Sequence, residues 1–147
     1  MVWGAFFSQG KSNLSITKSK MDSMAYQTIL NQNFLPHYEQ NDFPLAGNAP
    51  VHVSASTSKW MTDKNVQKIS WPSYSPDLNP MENLWGIMFR RIYGNGHQYS
   101  TVEDLKKSIQ TAWRSISTET LKSLSPSMED RIFACTLKKR FIYKLLM

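Results

Sequence analysis

Glu82 lies in the run Trp71-Pro-Ser-Tyr-Ser-Pro-Asp-Leu-Asn-Pro-Met-Glu82-Asn-Leu-Trp85, three residues after Asn79 and two after Pro80. The prolines at 72, 76 and 80 stiffen this approach, and Pro80 suits the first position of a helix. A single carboxylate is thereby delivered to a first helical turn. There it has two uses: satisfying free backbone N–H groups beside the cap Asn79, or acting as a hard oxygen ligand for a divalent cation. Thirty residues upstream, Asn48-Ala-Pro-Val-His52 sets an imidazole just past a proline turn, where it can handle a proton near a site or serve as a packing or capping group. His37 and His97 fall in no motif, no His/Cys spacing suggests zinc, and no nucleophile-elbow pattern occurs.

Several elements must position these groups. Residues 2–7 form an apolar run of strand length and residues 14–18 alternate, so with Ser8-Gln-Gly10 between them they predict a hairpin whose first strand is buried. Asp22 or Ser23 caps a helix with Tyr26, Ile29, Leu30 and Phe34 on one face, stopped at Pro36. A short strand over 43–46, a helix over 54–65 and a strand over 66–71 follow. From Pro80 on, the spacing predicts only helices: 80–93, 102–116 introduced by a Ser100-x-x-Glu103 capping box, and 127–139. In the second of these, Val102, Leu105, Ile109, Trp113 and Ile116 mark an apolar stripe. In the first, Met81, Leu84, Trp85, Met88, Phe89 and Ile92 form one arc with Glu82 at its margin beside Phe89. Residues 91–99, carrying Gly94, Asn95 and Gly96, read as a loop. Strands alternating with helices and followed by helices predict an α/β sheet domain with a helical C-terminal end, and residues 1–147 read as one domain.

The two motifs together resemble the Asp-Asn-Ala-Pro-x-His and Ser-Pro-Asp-Leu-Asn-Pro-x-Glu pair of the Tc/mariner-type DDE transposases, and the likeness runs from Val2-Trp-Gly4 to Ser127-Met128 and Arg131. It implies an RNase H-like fold and an ancestral DNA cleavage and strand transfer in which three carboxylates hold two Mg²⁺ or Mn²⁺ ions. By that resemblance Glu82 is the surviving metal ligand of the catalytic triad, and His52 lies near the site. Gly47 stands where the second Asp belongs; 34 residues separate it from Glu82, the spacing of the glutamate-ending branch. Glycine offers no metal ligand. Asp42, five residues before it, is roughly 16 Å away at strand rise, and Asp77 belongs to the helix approach rather than the ligand set. The family's first Asp lies on a strand preceding Trp3-Gly4, so the resemblance implies an RNase H-like sheet lacking its first, central strand, with Met1 at an internal methionine of a longer reading frame. The expectation is an inactive remnant with no working Mg²⁺ or Mn²⁺ site. Its rival is a non-catalytic DNA- or protein-binding module.

Seventeen Lys and Arg against eleven Asp and Glu give a net charge of +6, which suits an anionic partner. Arg90, Arg91, Lys138, Lys139 and Arg140 are the candidate contacts to DNA phosphates, giving sequence-nonspecific affinity for duplex DNA. A lone Cys135 argues against a disulfide-stapled secreted protein, and residues 2–7 are too short to span a bilayer and lack a signal peptide's basic start. A nuclear or cytosolic protein is expected, neither secreted nor in a membrane. A sheet without its central strand exposes apolar edges, which predicts self-association through them.

Overall fold

The structure, a computed structural model, describes residues 1–7, 9–17, 20–41, 49–69, 76–124 and 126–145; for residues 39–41, 77 and 138–145 it describes the backbone alone. The predicted 43–46 strand, Gly47 and Asp42 lie outside the described residues. Two compact units emerge, one of Met1–Phe7 with Lys11–Tyr74, the other of Ser8–Gly10 with Ser75–Met147.

The N-terminal run is not one buried strand. It divides into β1 (Val2–Trp3) and β2 (Phe6–Phe7), and all four residues are half-buried. β2 pairs with β3 (Gly10–Lys11), so part of the expected connection is itself strand. β1 pairs antiparallel with β4 (Ser15–Ile16), placing Val2 opposite Ile16 and Trp3 opposite Ser15. Ser12, buried between them, accepts the Ala5 N–H on its hydroxyl at 2.9 Å and returns its own N–H to the Ala5 carbonyl at 2.8 Å. These bonds satisfy backbone groups at the bend where the run breaks.

Helix α1 (Ser23–Asn33) is capped by Asp22, which accepts the Ala25 N–H at 2.8 Å. Pro36 does not end helical structure here. It sits in the first turn of α2 (Leu35–Asn41), where its missing N–H needs no partner. A short helix α3 (Pro50–Val53) then leads into α4 (Ala55–Asp63), capped by Ser54. Of the predicted 66–71 strand only a bridge at Lys68 appears among the described residues. The core of this unit is Met21, Tyr26, Ile29, Leu30, Phe34, Leu35, Tyr38, Met61 and Val66, with Trp3 packed against it. Tyr38 ties the chain after α4 to that core: its hydroxyl donates to the Asn65 carbonyl at 2.8 Å and accepts the Gln67 N–H at 3.0 Å.

The second unit is helical: α5 (Pro80–Tyr93), α6 (Val102–Arg114), α7 (Thr118–Leu124) and α8 (Ser127–Leu145). The predicted 91–99 loop is shorter, since α5 runs through Tyr93 before a tight turn at Gly94–Gly96. The cap of α6 is Thr101 rather than Ser100, accepting the Asp104 N–H at 3.1 Å, so the box is displaced by one residue. Val102, the first residue of the helix, is 62% exposed rather than part of the apolar stripe, while Trp113 and Ile116 are buried. Leu84, Met88 and Ile92 are the buried line of α5, and Trp85 stacks on Trp113 at 5.9 Å where α5 packs on α6. No helix among the described residues is long and apolar enough to cross a membrane.

Burial distinguishes positions that the sequence pattern groups together. Leu84→Ala, at a fully buried site, is expected to lower stability by about 2–5 kcal/mol, whereas Val102→Ala changes it by less than about 0.5 kcal/mol. Urea denaturation followed by circular dichroism measures both, and equal shifts would contradict this packing.

Candidate functional site

Glu82 lies in the first turn of α5, as its sequence context dictates, but the helix start does not depend on its carboxylate. Asn79 accepts the Met81 N–H on its side chain at 3.1 Å, its carbonyl accepts the Glu82 N–H at 3.0 Å, and its own N–H goes to the Pro76 carbonyl at 2.9 Å. The last of these replaces the reciprocal bond a capping box would draw from Glu82. The carboxylate, exposed, meets among the described residues only the Asn79 amide at a long 3.5 Å.

Beside it opens a cleft of about 420 Å³ lined by Pro76, Glu82, Asn83 and Arg131. The 3-10 turn at Pro76–Leu78 sets one wall and α8 another, and α8 packs against that turn. Arg131 Nη2 donates to Asn83 Oδ1 at 3.0 Å, across 48 residues of chain. That bond fixes which way round the amide lies, so Asn83 Nδ2 is the buried donor, and it has no acceptor among the described residues. Asn83 and Arg131 were not singled out as site residues from sequence. Adjacency to Glu82 was the available signal for Asn83; for Arg131, in a helix far along the chain, there was none.

This donor set does not fit a pair of divalent cations. Among the described residues no three His, Cys, Asp or Glu side chains gather where they could hold a metal. Glu82 shares its cleft with a guanidinium and a buried amide donor, both of which favour a negative or neutral group over a cation. Gly47, outside the described residues, has no side chain to contribute in any conformation.

The remaining candidates scatter. Arg90 is exposed on α5, and its Nη1 lies 3.7 Å from where a Cβ on Gly86 would stand. Arg91, also exposed, donates to the Ser115 hydroxyl at 2.8 Å and so is partly engaged in joining α5 to the end of α6. Lys138, Lys139 and Arg140 fall on α8, their side chains outside the described residues. His52 belongs to the other unit from Glu82.

Comparison with known proteins gives a consistent set of likenesses. The DDE superfamily endonuclease family matches residues 1–106. The transposable element Tc3 transposase of Caenorhabditis elegans is 46% identical over 136 residues, covering 90% of this chain and 41% of that protein. The Tc1 transposase of the same organism is 33% identical over 135 residues, covering 89% and 49%. The chain thus spans less than half the length of these curated relatives. Among solved structures, the catalytic domain of the Mos1 mariner transposase superposes with a TM-score of 0.76 at 16% identity, covering 93% of this chain and 72% of that one. A second structure of that domain, with raltegravir and Mn, gives the same score and identity and covers 74% of its chain. That likeness shows the fold, which is RNase H-like with a partial sheet.

His52 is held on the inner side of α3. Its ring stacks on Tyr26 at 4.4 Å, and its Nδ1 is buried without a partner among the described residues. A hydroxyl chain braces this corner: Ser23 donates to Ser54 at 2.8 Å, Ser54 caps α4, and Thr57 donates to the Val51 carbonyl at 2.7 Å. Burial pushes the Tyr26 phenol well above its ordinary range, against a hydrogen bond from Trp3. Desolvation also holds the His52 imidazolium pKa below its ordinary 6.5, with Lys68 adding repulsion. A lowered folded pKa means that the unfolded chain binds the proton first. The stabilising contribution is therefore complete above about pH 6.5 and is lost as pH falls through the lowered value. The urea midpoint should drop from about pH 7 to pH 5, and His52→Phe should flatten that slope; an unchanged slope in the variant would place the pH dependence elsewhere.

Proposed function

The chain belongs to the DDE superfamily endonucleases, among the Tc/mariner-type transposases, and from that membership we propose a transposase-derived catalytic domain in which DNA cleavage and strand transfer have lapsed. The observation that carries the reading is the composition of the Glu82 cleft. Phosphoryl transfer by two metal ions needs several carboxylates converging on the cations to activate the attacking oxygen and stabilise the leaving one. Here the surviving carboxylate, Glu82, has Arg131 and Asn83 for company, and the position that matches the family's second acid is Gly47. Mos1 catalytic-domain structures contain Mn and Mg; the residues gathered here would hold neither as a pair. His52 then acts as a packing group on Tyr26 rather than in catalysis.

A second reading, a non-catalytic DNA-binding module, is favoured by the exposed Arg90 and Arg91 together with the +6 net charge. Such contacts neutralise phosphates without reading bases, so affinity falls steeply with salt and is blind to duplex sequence. Lys138, Lys139 and Arg140 extend the same basic character along α8. A protein acting this way belongs in the nucleus or the cytosol. Each two-stranded ladder of the N-terminal sheet leaves strand edges through which a second copy could pair.

Two measurements separate these readings. In a plasmid-nicking assay with Mg²⁺ or Mn²⁺, the purified chain is expected to give no scission above a protein-free control, and Glu82→Ala to change nothing; metal-dependent nicking abolished by that substitution would refute the inactive assignment. In a salt titration of duplex DNA binding, Arg90→Ala should reduce the slope of log affinity against log salt by about one unit. No binding at low salt would dismiss the DNA-binding reading.

A further inference from the structure

The outward face of α5 carries a feature that duplex backbone contacts leave unused. Burial of Leu84, Met88 and Ile92 turns Phe89 and Tyr93 away from the core, to 63% and 38% exposure. One helical turn apart, their rings lie 4.9 Å centre to centre with a 42° tilt. Tyr93 is braced edge-on by Tyr99 at 6.0 Å, and Tyr99 is itself fixed by donating to the Ile92 carbonyl at 2.7 Å. Just beyond the helix end, a Cβ on Gly94 or Gly96 would meet nothing within 4 Å. A held pair of exposed rings is a surface on which another flat apolar group can stack.

Charge selects the occupant. Arg90 is exposed beside the rings, whereas Arg91 turns to the other flank of the helix to reach Ser115, and the chain as a whole is cationic. Glu82, two turns back on the same face as Phe89, is also exposed. A phosphate laid along the ring face would run toward that carboxylate, whereas an uncharged base would not. The favoured arrangement therefore puts bases on the rings and phosphates outward over Arg90. Bases in a duplex are paired and stacked on one another, so only unpaired ones can take this position. We propose that Phe89 and Tyr93, with Arg90 beside them, form a stacking site for unpaired bases of single-stranded nucleic acid.

This rests on the nucleic-acid-binding reading and deepens it. The test is fluorescence anisotropy with three labelled probes of equal length, about 15 nucleotides: oligothymidylate, an abasic strand with the same phosphates, and a duplex; an oligouridylate arm compares RNA with DNA. Oligothymidylate should bind about tenfold more tightly than the abasic strand. Phe89→Leu and Tyr93→Leu should each erase most of that advantage while duplex affinity, which also monitors folding, stays unchanged; Tyr93→Phe should retain it. Equal affinity for thymidylate and abasic strands, or an advantage that survives loss of both rings, overturns the stacking site and assigns the rings to a protein partner. Absence of binding to any probe, duplex included, overturns the nucleic-acid reading itself.

Discussion

The rotation of α5 about its own axis governs the chemistry available in the second unit. Leu84, Met88 and Ile92 recur every four residues and must leave water together, which turns one line of the helix inward with Trp85 stacked on Trp113 alongside it. Everything else on the helix is then assigned. Glu82 comes to the rim of the Arg131 cleft, Asn83 to a position where Arg131 can reach its amide oxygen, and Phe89 and Tyr93 to solvent. A rotation of one residue, about 100°, would bury the carboxylate or expose Leu84, and either is costly.

The start of that helix is independently secured. Proline at its first position and the three backbone and side-chain bonds made by Asn79 satisfy the N-terminal donors, so Glu82 is free of structural duty at the cap. Its cleft also holds a guanidinium bound to a neighbouring amide, poor company for a doubly charged cation. Family ancestry and present competence are thus separate questions. The first is answered by matches along the chain.

The first unit follows a different logic. Its sheet is slight, two ladders of two-residue strands, and the helices α1 and α2 with Met61 and Val66 supply the interior. Hydroxyls do much of the bracing: Ser12 at the N-terminal bend, the Ser23–Ser54–Thr57 chain around α3, and Tyr38 over the segment after α4. His52 is packed into this arrangement through Tyr26, and its burial, with Lys68 adding repulsion, depresses its basicity.

Local chemistry alone was enough to define α5 and its cap, the helix beginning at Ser127, and the lone carboxylate, because proline placement, capping residues and apolar spacing are short-range signals. The family resemblance was likewise legible, carried by two motifs and their interval. Elsewhere the reading went astray where neighbours outvote local preference. Pro36 reads locally as a stop although a first helical turn tolerates it, Ser100 reads as the cap that Thr101 provides, and the apolar run at the N-terminus breaks in two around Ser12. Tertiary structure alone decided that Arg131 meets Asn83, that Phe89 stands in solvent rather than in the apolar arc, and that His52 lies against Tyr26. Those outcomes join residues tens of positions apart or choose between faces of one helix, and the choice is made by which arrangement buries the most apolar surface while leaving the fewest polar groups unpaired.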